Sequence, residues 1–244
     1  MANQKEYLDA MGIEVWRLRH TESDIEKSDV SDDTALETAV KGDVAKSNAG
    51  TNASINDLDL PSLEQHVAQC QKCSLHQSRT QTVFGVGNPD ADWMFVGEAP
   101  GGEEDRQGIP FVGRAGQLLT AILSALGLER DVVYIANVLK CRPPGNRDPD
   151  GEEVMRCEPY LYRQVELVNP KIIIAMGRFG AQSLLKTHES VGKLRGKKYS
   201  YSDTGIPLVV TYHPAYLLRS PGEKRKSWSD LLLARSIVSE TANG

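Results

Sequence analysis

Short apolar segments alternate with longer segments of helical periodicity along the chain from residue 61 onward. The apolar segments are rich in β-branched residues and lie at residues 93–96, 132–135, 172–176 and 208–211. Apolar residues recur at helical spacing in residues 116–126, 152–167, 179–186 and 228–238. Strands that alternate with helices need crossover connections, which make the strands parallel and place helices on both faces. The pattern therefore predicts an α/β domain over residues 61–244.

The first 60 residues have a different character. Residues 21–60 are rich in Ser, Thr, Asp, Ala and Asn, contain no aromatic residue and show no sustained period. They are predicted to form a disordered acidic linker. Residues 1–20 differ again, because Leu8, Met11 and Trp16 place large apolar groups beside charges. This segment is predicted to be an amphipathic peptide.

The net charge of −5 conceals an uneven distribution. Residues 1–60 contain 13 acidic and 6 basic residues, which leaves 20 acidic and 22 basic residues in the remainder. The predicted domain is thus mildly basic, as binding to phosphates requires. No apolar run reaches the roughly 20 residues that span a bilayer. Because the N-terminus also lacks a secretion signal, we expect a cytoplasmic protein with no membrane partner.

Polar residues follow three of the predicted strands. Glu98 comes directly after the first, Asn137 after the second and His213 after the fourth. Alone, each has an ordinary structural explanation, such as a turn-forming Asn or a satisfied His. The carboxyl ends of parallel strands meet at one edge of a sheet, however, so their joint placement favours a site there. The glycine-rich residues 97–102 lack nucleotide-binding patterns, and Gly101 would let a backbone amide approach a ligand or simply form a turn.

The four cysteines of the chain form one spaced pattern, Cys70-x2-Cys73 followed by Cys141 and Cys157. A CxxC pair is typical of a metal site or of a thioredoxin-like redox pair. Two further cysteines from distant segments can complete a four-thiolate site. Ligand softness alone does not distinguish zinc from an iron–sulfur cluster.

Three motifs in order along the chain carry a resemblance to a known family. Residues 70–119 contain CQKC and GEAPGGEEDRQGIPFVG, residues 134–149 read YIANVLKCRPPGNRDP, and residues 211–221 read TYHPAYLLRSP. Over about residues 61–238 the chain resembles the family-four uracil-DNA glycosylases. The resemblance implies a three-layer α/β/α sandwich with a central four-stranded parallel sheet. It also implies a [4Fe–4S] cluster bound by Cys70, Cys73, Cys141 and Cys157.

The function implied by this resemblance is DNA repair. Such an enzyme flips uracil out of DNA and hydrolyses its N-glycosidic bond, leaving an abasic site. His213 would stand beside uracil O2 as a neutral imidazole and stabilise the charge on the departing base. Asn137 would pair with uracil O4 and N3–H, which cytosine cannot match. Phe111 would stack under the base, although a core position would equally explain a lone Phe.

Residues of the first motif would complete the site. Ala99 stands where some relatives carry a water-activating Asp, so no general base is assigned there, and with Gly101 it would line the base pocket. Glu98 and Glu104 match catalytic positions of the family, and Glu104 would orient the hydrolytic water or the flipped sugar. Without the resemblance, Glu104 would belong to a solvated run of charges, residues 103–105.

Two segments are expected to contact macromolecules. The segment Tyr216, Leu217, Leu218 and Arg219 resembles the loop that wedges into DNA. Residues 1–20 resemble the short peptide by which the psi subunit of bacterial replicative clamp loaders docks on that assembly. Packing of this peptide back onto the glycosylase domain is an equal alternative. The expected oligomeric state is a monomer.

Two other functions remain open at this point. A non-catalytic iron–sulfur DNA-binding protein would keep the cysteines and basic loops, but it would not need Asn137, Phe111 and His213 together. A zinc-bound interaction module would need only the cysteines and would be colourless.

Overall fold

The structure is a computed structural model that describes residues 54–242. The predicted peptide, residues 1–20, and residues 21–53 of the predicted linker lie outside the described residues. The end of that predicted linker belongs to the described part: Ile55–Asp57 forms a 3₁₀ turn, and the Leu58 carbonyl accepts hydrogen bonds of 3.0 and 2.9 Å from the Arg163 guanidinium. None of the helices in residues 54–242 is long and apolar enough to cross a membrane.

Six strands of the described residues form one sheet. The strands are β1 (Val86–Gly87), β2 (Trp93–Gly97), β3 (Tyr134–Asn137), β4 (Ile172–Met176), β5 (Lys198–Tyr201) and β6 (Ile206–Thr211). Their order across the sheet is β1-β3-β2-β4-β6-β5. The inner strands β3, β2, β4 and β6 are mutually parallel. This arrangement confirms the predicted parallel sheet.

The sheet is larger than the four strands predicted from the sequence. β1 and β5 add antiparallel edges, next to β3 and β6 respectively. β1 has only two residues, and β5 reads KYSY with two exposed positions. Neither strand therefore shows the apolar run by which the inner strands are recognised. Short, partly polar edge strands of this kind hinder pairing with other chains.

Helices connect the strands and cover both faces of the sheet. They are α1 (Leu60–Ala68), α2 (Gly102–Gln107), α3 (Arg114–Ala125), α4 (Gly151–Val168), α5 (Gly177–Leu185), α6 (Val191–Leu194), α7 (Pro214–Arg219) and α8 (Lys224–Ala242). Successive strand residues point to opposite faces. Met94 of β2 is buried in one core with Leu161 of α4, whereas Phe95 is buried in the other core with Leu119 of α3 and Leu231 of α8. The fold is therefore the expected three-layer α/β/α sandwich.

The parallel strands place their carboxyl ends at one edge of the sheet. Gly97, the last residue of β2, lies in register with Asn137, the last residue of β3. β6 ends at Thr211, two residues before His213. The loops that follow these strands therefore start side by side, which is the arrangement that the sequence predicts for the site.

Candidate active site

A cleft of about 750 Å³ opens at the carboxyl ends of the four parallel strands. Most of the residues singled out in the sequence line it, namely Glu98, Ala99, Gly101, Glu104, Phe111, Asn137, His213, Tyr216 and Arg219. Leu217 does not line the cleft, because it is buried in the protein with 1% of its surface exposed. Leu218 is exposed at the surface, outside the lining of the cleft. The structure thus brings the predicted catalytic and base-binding residues together.

His213 is a neutral imidazole with a defined tautomer. The residue caps the N-terminus of α7, where its Nδ1 accepts a hydrogen bond of 3.2 Å from the Ala215 N–H. Nδ1 therefore carries the lone pair, and the proton of the neutral ring is on Nε2. Burial, and to a smaller extent Arg219, lower the pKa of His213 to about 4, whereas Glu104 opposes this shift. At neutral pH the ring can thus donate a hydrogen bond from Nε2 while it carries no charge.

The Asn137 side chain packs against the end of β2. Its Oδ1 is buried and has no hydrogen-bond partner within the described residues. A Cβ on Gly97 would lie 2.4 Å from this oxygen and 2.6 Å from Cζ of Phe111. Only a glycine lets the amide and the aromatic ring approach the backbone so closely. The unpaired oxygen of Asn137 is therefore available to a donor on a ligand.

Phe111 adopts a backbone conformation that is uncommon for a residue with a side chain. Its φ is 54°, in the left-handed region. Glu104 holds the following residues in place, because its Oε1 accepts hydrogen bonds of 3.0 Å from the amides of both Val112 and Gly113. Its Oε2 accepts a third hydrogen bond, of 3.1 Å, from the Gly101 amide. Both carboxylate oxygens of Glu104 thus have backbone partners, and the catalytic role expected for this residue stays a prediction.

The ring of Phe111 lies next to that of His213 in the cleft. The two ring centroids are 5.5 Å apart, and the planes are inclined by 34°. Gly177, at the end of β4, permits this placement of His213, since it has a φ of +85° and its Cβ would lie 2.8 Å from that of His213. A flat, apolar surface is therefore adjacent to the imidazole donor.

Glu98 is a partly buried carboxyl group that titrates near neutral pH. Burial, and to a smaller extent the carboxylate of Asp148, raise the pKa of Glu98 to about 7, while the guanidinium of Arg178 opposes both. Arg178 in turn donates a hydrogen bond of 2.5 Å from Nη2 to Oδ2 of Asp148. A carboxyl group with a pKa near the working pH is suited to accept or donate a proton.

We expect Glu98→Gln to stabilise the protein only at pH values at which Glu98 of the wild type is ionised in the unfolded chain. The pKa of Glu98 is about 7 in the folded protein, compared with an ordinary value of 4.5. Ionisation of Glu98 therefore lowers the free energy of unfolding of the wild type, progressively above pH 4.5 and by its full amount above pH 7. The free energy of unfolding should rise by about 1–3 kcal/mol at pH 8 and stay nearly unchanged at pH 4. Urea titration at both pH values checks this, with the exposed Glu129→Gln as control. An equal difference at both pH values would contradict the assignment.

Several residues that line the cleft or shape it are not predicted from the sequence. Asp148, Arg178 and Tyr212 line the cleft, while Gly97 provides the space for Asn137 and Phe111. Arg178 could have been found, because it follows the third predicted strand by the same rule that selected Glu98. Tyr212 could also have been found, because it directly follows the fourth predicted strand. Asp148 carries no such signal, since only the tertiary fold brings its loop to the cleft.

The four cysteines line a second, smaller cavity. Cys70 and Cys73 follow α1, Cys141 follows β3, and Cys157 lies in α4. All four are free thiols. The cavity shares no lining residue with the cleft. Within residues 54–242, no three Cys, His, Asp or Glu side chains are placed to hold a single metal ion.

Hydrogen-bond donors surround the sulfurs. Arg79 Nη1 donates to Sγ of Cys141 at 3.1 Å, and the Tyr160 hydroxyl donates to Sγ of Cys70 at 3.2 Å. Burial raises the pKa of the Cys157 thiol to about 12 and also raises the pKa of Cys141. Thiolates in this apolar setting therefore require a bound cation, and metal binding would displace the thiol protons. The donor set fits an iron–sulfur cluster held by four thiolates.

Comparisons with known proteins give a consistent result. The profile described as "Uracil DNA glycosylase superfamily" matches residues 84–232. The chain is 45% identical over 177 residues to a protein of Archaeoglobus fulgidus named "Type-4 uracil-DNA glycosylase", with 70% of this chain and 89% of the relative covered. It is 48% identical over 192 residues to a protein of the same name from Saccharolobus solfataricus, with 76% and 88% covered. A "Type-5 uracil-DNA glycosylase" of Pyrobaculum aerophilum is 32% identical over 146 residues, with 54% and 64% covered.

Proposed function

Since the chain belongs to the type-4 family of the uracil-DNA glycosylase superfamily, we propose that it removes uracil from DNA by hydrolysing the N-glycosidic bond and leaving an abasic site. One observation of the structure carries this proposal. The buried amide of Asn137, the ring of Phe111 and the neutral imidazole of His213 line one cleft at the carboxyl end of the sheet. The amide can pair with N3–H and O4 of a uracil ring, the aromatic ring can stack on its face, and the imidazole can donate to its O2.

Asn137 and Phe111 would recognise the base. Oδ1 of Asn137 lacks a partner among the described residues and can accept from uracil N3–H, while the amide nitrogen can donate to O4. Cytosine presents an unprotonated N3 and an amino group at these positions, so it would leave the buried amide unpaired. The ring of Phe111 offers a face on which the flipped base can stack. The two hydrogen bonds of the Asn137 amide therefore select uracil over cytosine.

His213 and Glu98 would act in bond cleavage. As the bond between C1′ and N1 breaks, its electron pair moves into the uracil ring, and negative charge grows on O2. The Nε2–H of neutral His213 donates to that oxygen without a competing positive charge on the ring in the ground state. Water then adds to C1′, and the carboxylate of Glu98 is suited to accept its proton because its pKa is about 7. Glu104 supports the site by holding the backbone that follows Phe111.

The exposed residues of α7 would contact the DNA around the flipped nucleotide. Tyr216 and Leu218 are each 37% exposed, so they can enter the space that the base leaves in the duplex. Arg219 lines the cleft mouth and can contact a phosphate. Leu217 is buried, so we assign it the anchoring of α7 to the domain rather than a contact with DNA.

A [4Fe–4S] cluster would be held by Cys70, Cys73, Cys141 and Cys157. When bound, the cluster would cross-link the segment after α1 to the loop after β3 and to α4. Its cavity is separate from the cleft, so we assign it a structural role. The donors on Cys70 and Cys141 described above support the deprotonated state of these ligands.

Excision from a uracil-containing oligonucleotide tests the proposed function. The purified full-length protein should convert a single-stranded oligonucleotide with one uracil into an abasic product that alkali cleaves, and should leave the matching thymine and cytosine oligonucleotides intact. The protein should be brown and contain iron and acid-labile sulfide. A brown protein without excision would indicate a non-catalytic iron–sulfur protein, and a colourless zinc protein without excision would indicate an interaction module.

For residues 1–20 we propose docking onto the replicative clamp loader, with packing onto the glycosylase domain as the alternative. Deleting these residues should abolish binding to the clamp loader and leave excision on short oligonucleotides unchanged. Trp16→Ala in the full chain should weaken binding at least tenfold, since a buried Trp is a common anchor, whereas Lys27→Ala in the linker should not. A lower melting temperature or slower excision after the deletion would instead support the packed arrangement.

We further propose that the protein acts as a monomer in the cytoplasm. The cleft residues of one chain supply each role that we assign to the proposed reaction. None of the four cysteines forms a disulfide, which suits a reducing compartment. Sedimentation of the purified protein tests the monomer, and a stable dimer would contradict it.

A further inference from the structure

Lys140 is a buried cation between the cleft and the thiol cavity. Only 1% of its surface is exposed, which is rare for lysine unless its charge is compensated. In residues 54–242 no carboxylate forms an ion pair with it. The groups that line a cavity with Lys140 and can carry negative charge are the four cysteines.

On one side the ammonium of Lys140 binds the backbone of Asn137, the residue proposed to recognise the base. Nζ donates a hydrogen bond of 2.8 Å to the backbone carbonyl of Asn137 and another to Oε1 of Gln164. Gln164 is also fully buried, and its Nε2 donates to the Tyr134 hydroxyl at 3.0 Å. The ammonium of Lys140 is thus a hydrogen-bond donor to the backbone carbonyl of Asn137, and this contact belongs to a network of buried polar groups.

On the other side Lys140 belongs to the thiol cavity. Lys140 lines the same cavity as the four cysteines, and its backbone N–H donates to Sγ of Cys157 at 3.2 Å. Cys141 is the next residue in the chain. Four thiolates around an iron–sulfur cluster leave a net negative charge, which a buried ammonium can balance over a short distance.

The segment between Asn137 and Cys141 also contacts the backbone next to Glu98. The Val138 amide donates to the carbonyl of Gly97 at 3.1 Å, and the Leu139 amide donates to that of Glu98 at 3.0 Å. A shift of this segment would therefore move both the base-reading amide and the backbone of the titrating carboxyl group.

We propose that Lys140 is a positioning residue that couples the two sites: its ammonium balances the charge of the thiolate cluster and holds the backbone of Asn137 in place for uracil recognition. This inference rests on the proposed excision activity and on the proposed cluster. It assigns the cluster a second consequence beyond cross-linking, because loss of its charge would leave Lys140 uncompensated next to Asn137. Lys140 itself does not contact the reacting atoms.

Two variants separate the charge from the hydrogen bond. Lys140→Met removes both, whereas Lys140→Gln removes the charge and keeps an amide donor toward Asn137. Lys171→Met is the matched control, because Lys171 is an exposed lysine paired with Asp92. The readouts are KM and kcat for uracil excision, and the rate at which a chelator extracts iron from the native protein.

We expect Lys140→Met to raise KM at least tenfold with a smaller change in kcat, because base recognition is lost before bond cleavage. Lys140→Gln should raise KM less. Both should release iron at least tenfold faster than the wild type, since the net negative charge of the bound cluster would lose a neighbouring cation. Lys171→Met should match the wild type in every readout.

The proposal fails if Lys140→Met, or Lys140→Gln where the methionine variant does not fold, keeps either the wild-type KM or the wild-type rate of iron release. It also fails if the changes in kcat and KM are fully explained by a loss of folded protein, as shown by a lower melting temperature. A wild-type protein that excises no uracil would instead overturn the proposed function, and one without iron would overturn the proposed cluster.

Discussion

His213→Ala is expected to lower the rate of uracil excision by about 10²–10³-fold, the loss typical when one donor to a developing anion is removed. The ring is held by the Ala215 amide on Nδ1, so only the Nε2–H is free to face the departing base. No water molecule would be oriented equally well in its place. Single-turnover excision of a uracil oligonucleotide measures the effect on bond cleavage directly.

The matched control for this prediction is His188→Ala, which changes an exposed histidine outside the cleft. Its excision rate should equal that of the wild type. Because burial lowers the pKa of His213 to about 4, the wild-type rate should also show no inflection from this residue between about pH 6 and 8. A wild-type rate in His213→Ala with an intact fold would remove His213 from the mechanism.

Gly97→Ala is expected to displace both base-binding side chains at once. Its Cβ would stand 2.4 Å from Oδ1 of Asn137 and 2.6 Å from Cζ of Phe111, so both base-binding groups must move. We expect excision to fall at least as far as in Asn137→Ala, by about tenfold to a hundredfold. The strain should also lower the free energy of unfolding by about 1–3 kcal/mol. Excision kinetics and urea titration measure the two effects.

Gly151→Ala is the control for this glycine, because Gly151 is the first residue of α4 and a Cβ there would meet nothing within 4 Å. Alanine suits a helical position better than glycine, so stability should be equal or slightly higher and excision unchanged. If Gly97→Ala excised uracil at the wild-type rate, Asn137 and Phe111 could not both occupy the positions described here during catalysis.

The parts of this protein that follow from sequence alone are those with local or periodic signals. Runs of apolar residues in β2, β3, β4 and β6 have no polar face, as expected for strands buried on both sides. Their parallel order then follows from the helices between them, and with it the meeting of Glu98, Asn137 and His213 at one edge. The assignment of these residues to uracil chemistry came from the resemblance of the motifs, since an isolated Asn or His has no chemical signature.

Tertiary structure decided what depends on the distance between segments that are far apart in the chain. Leu217 and Leu218 are chemically identical neighbours, and only the packing of α7 determines that the first is buried and the second exposed. Glu104 belongs to a charged run in the sequence, yet it binds the backbone after Phe111 because the loop returns to the start of α2. Lys140 resembles any surface lysine until the fold encloses it between Asn137 and the cysteines. In each case contacts between segments that are distant in the chain set the environment of the side chain. The periodicity and spacing of the sequence contain no information about such contacts.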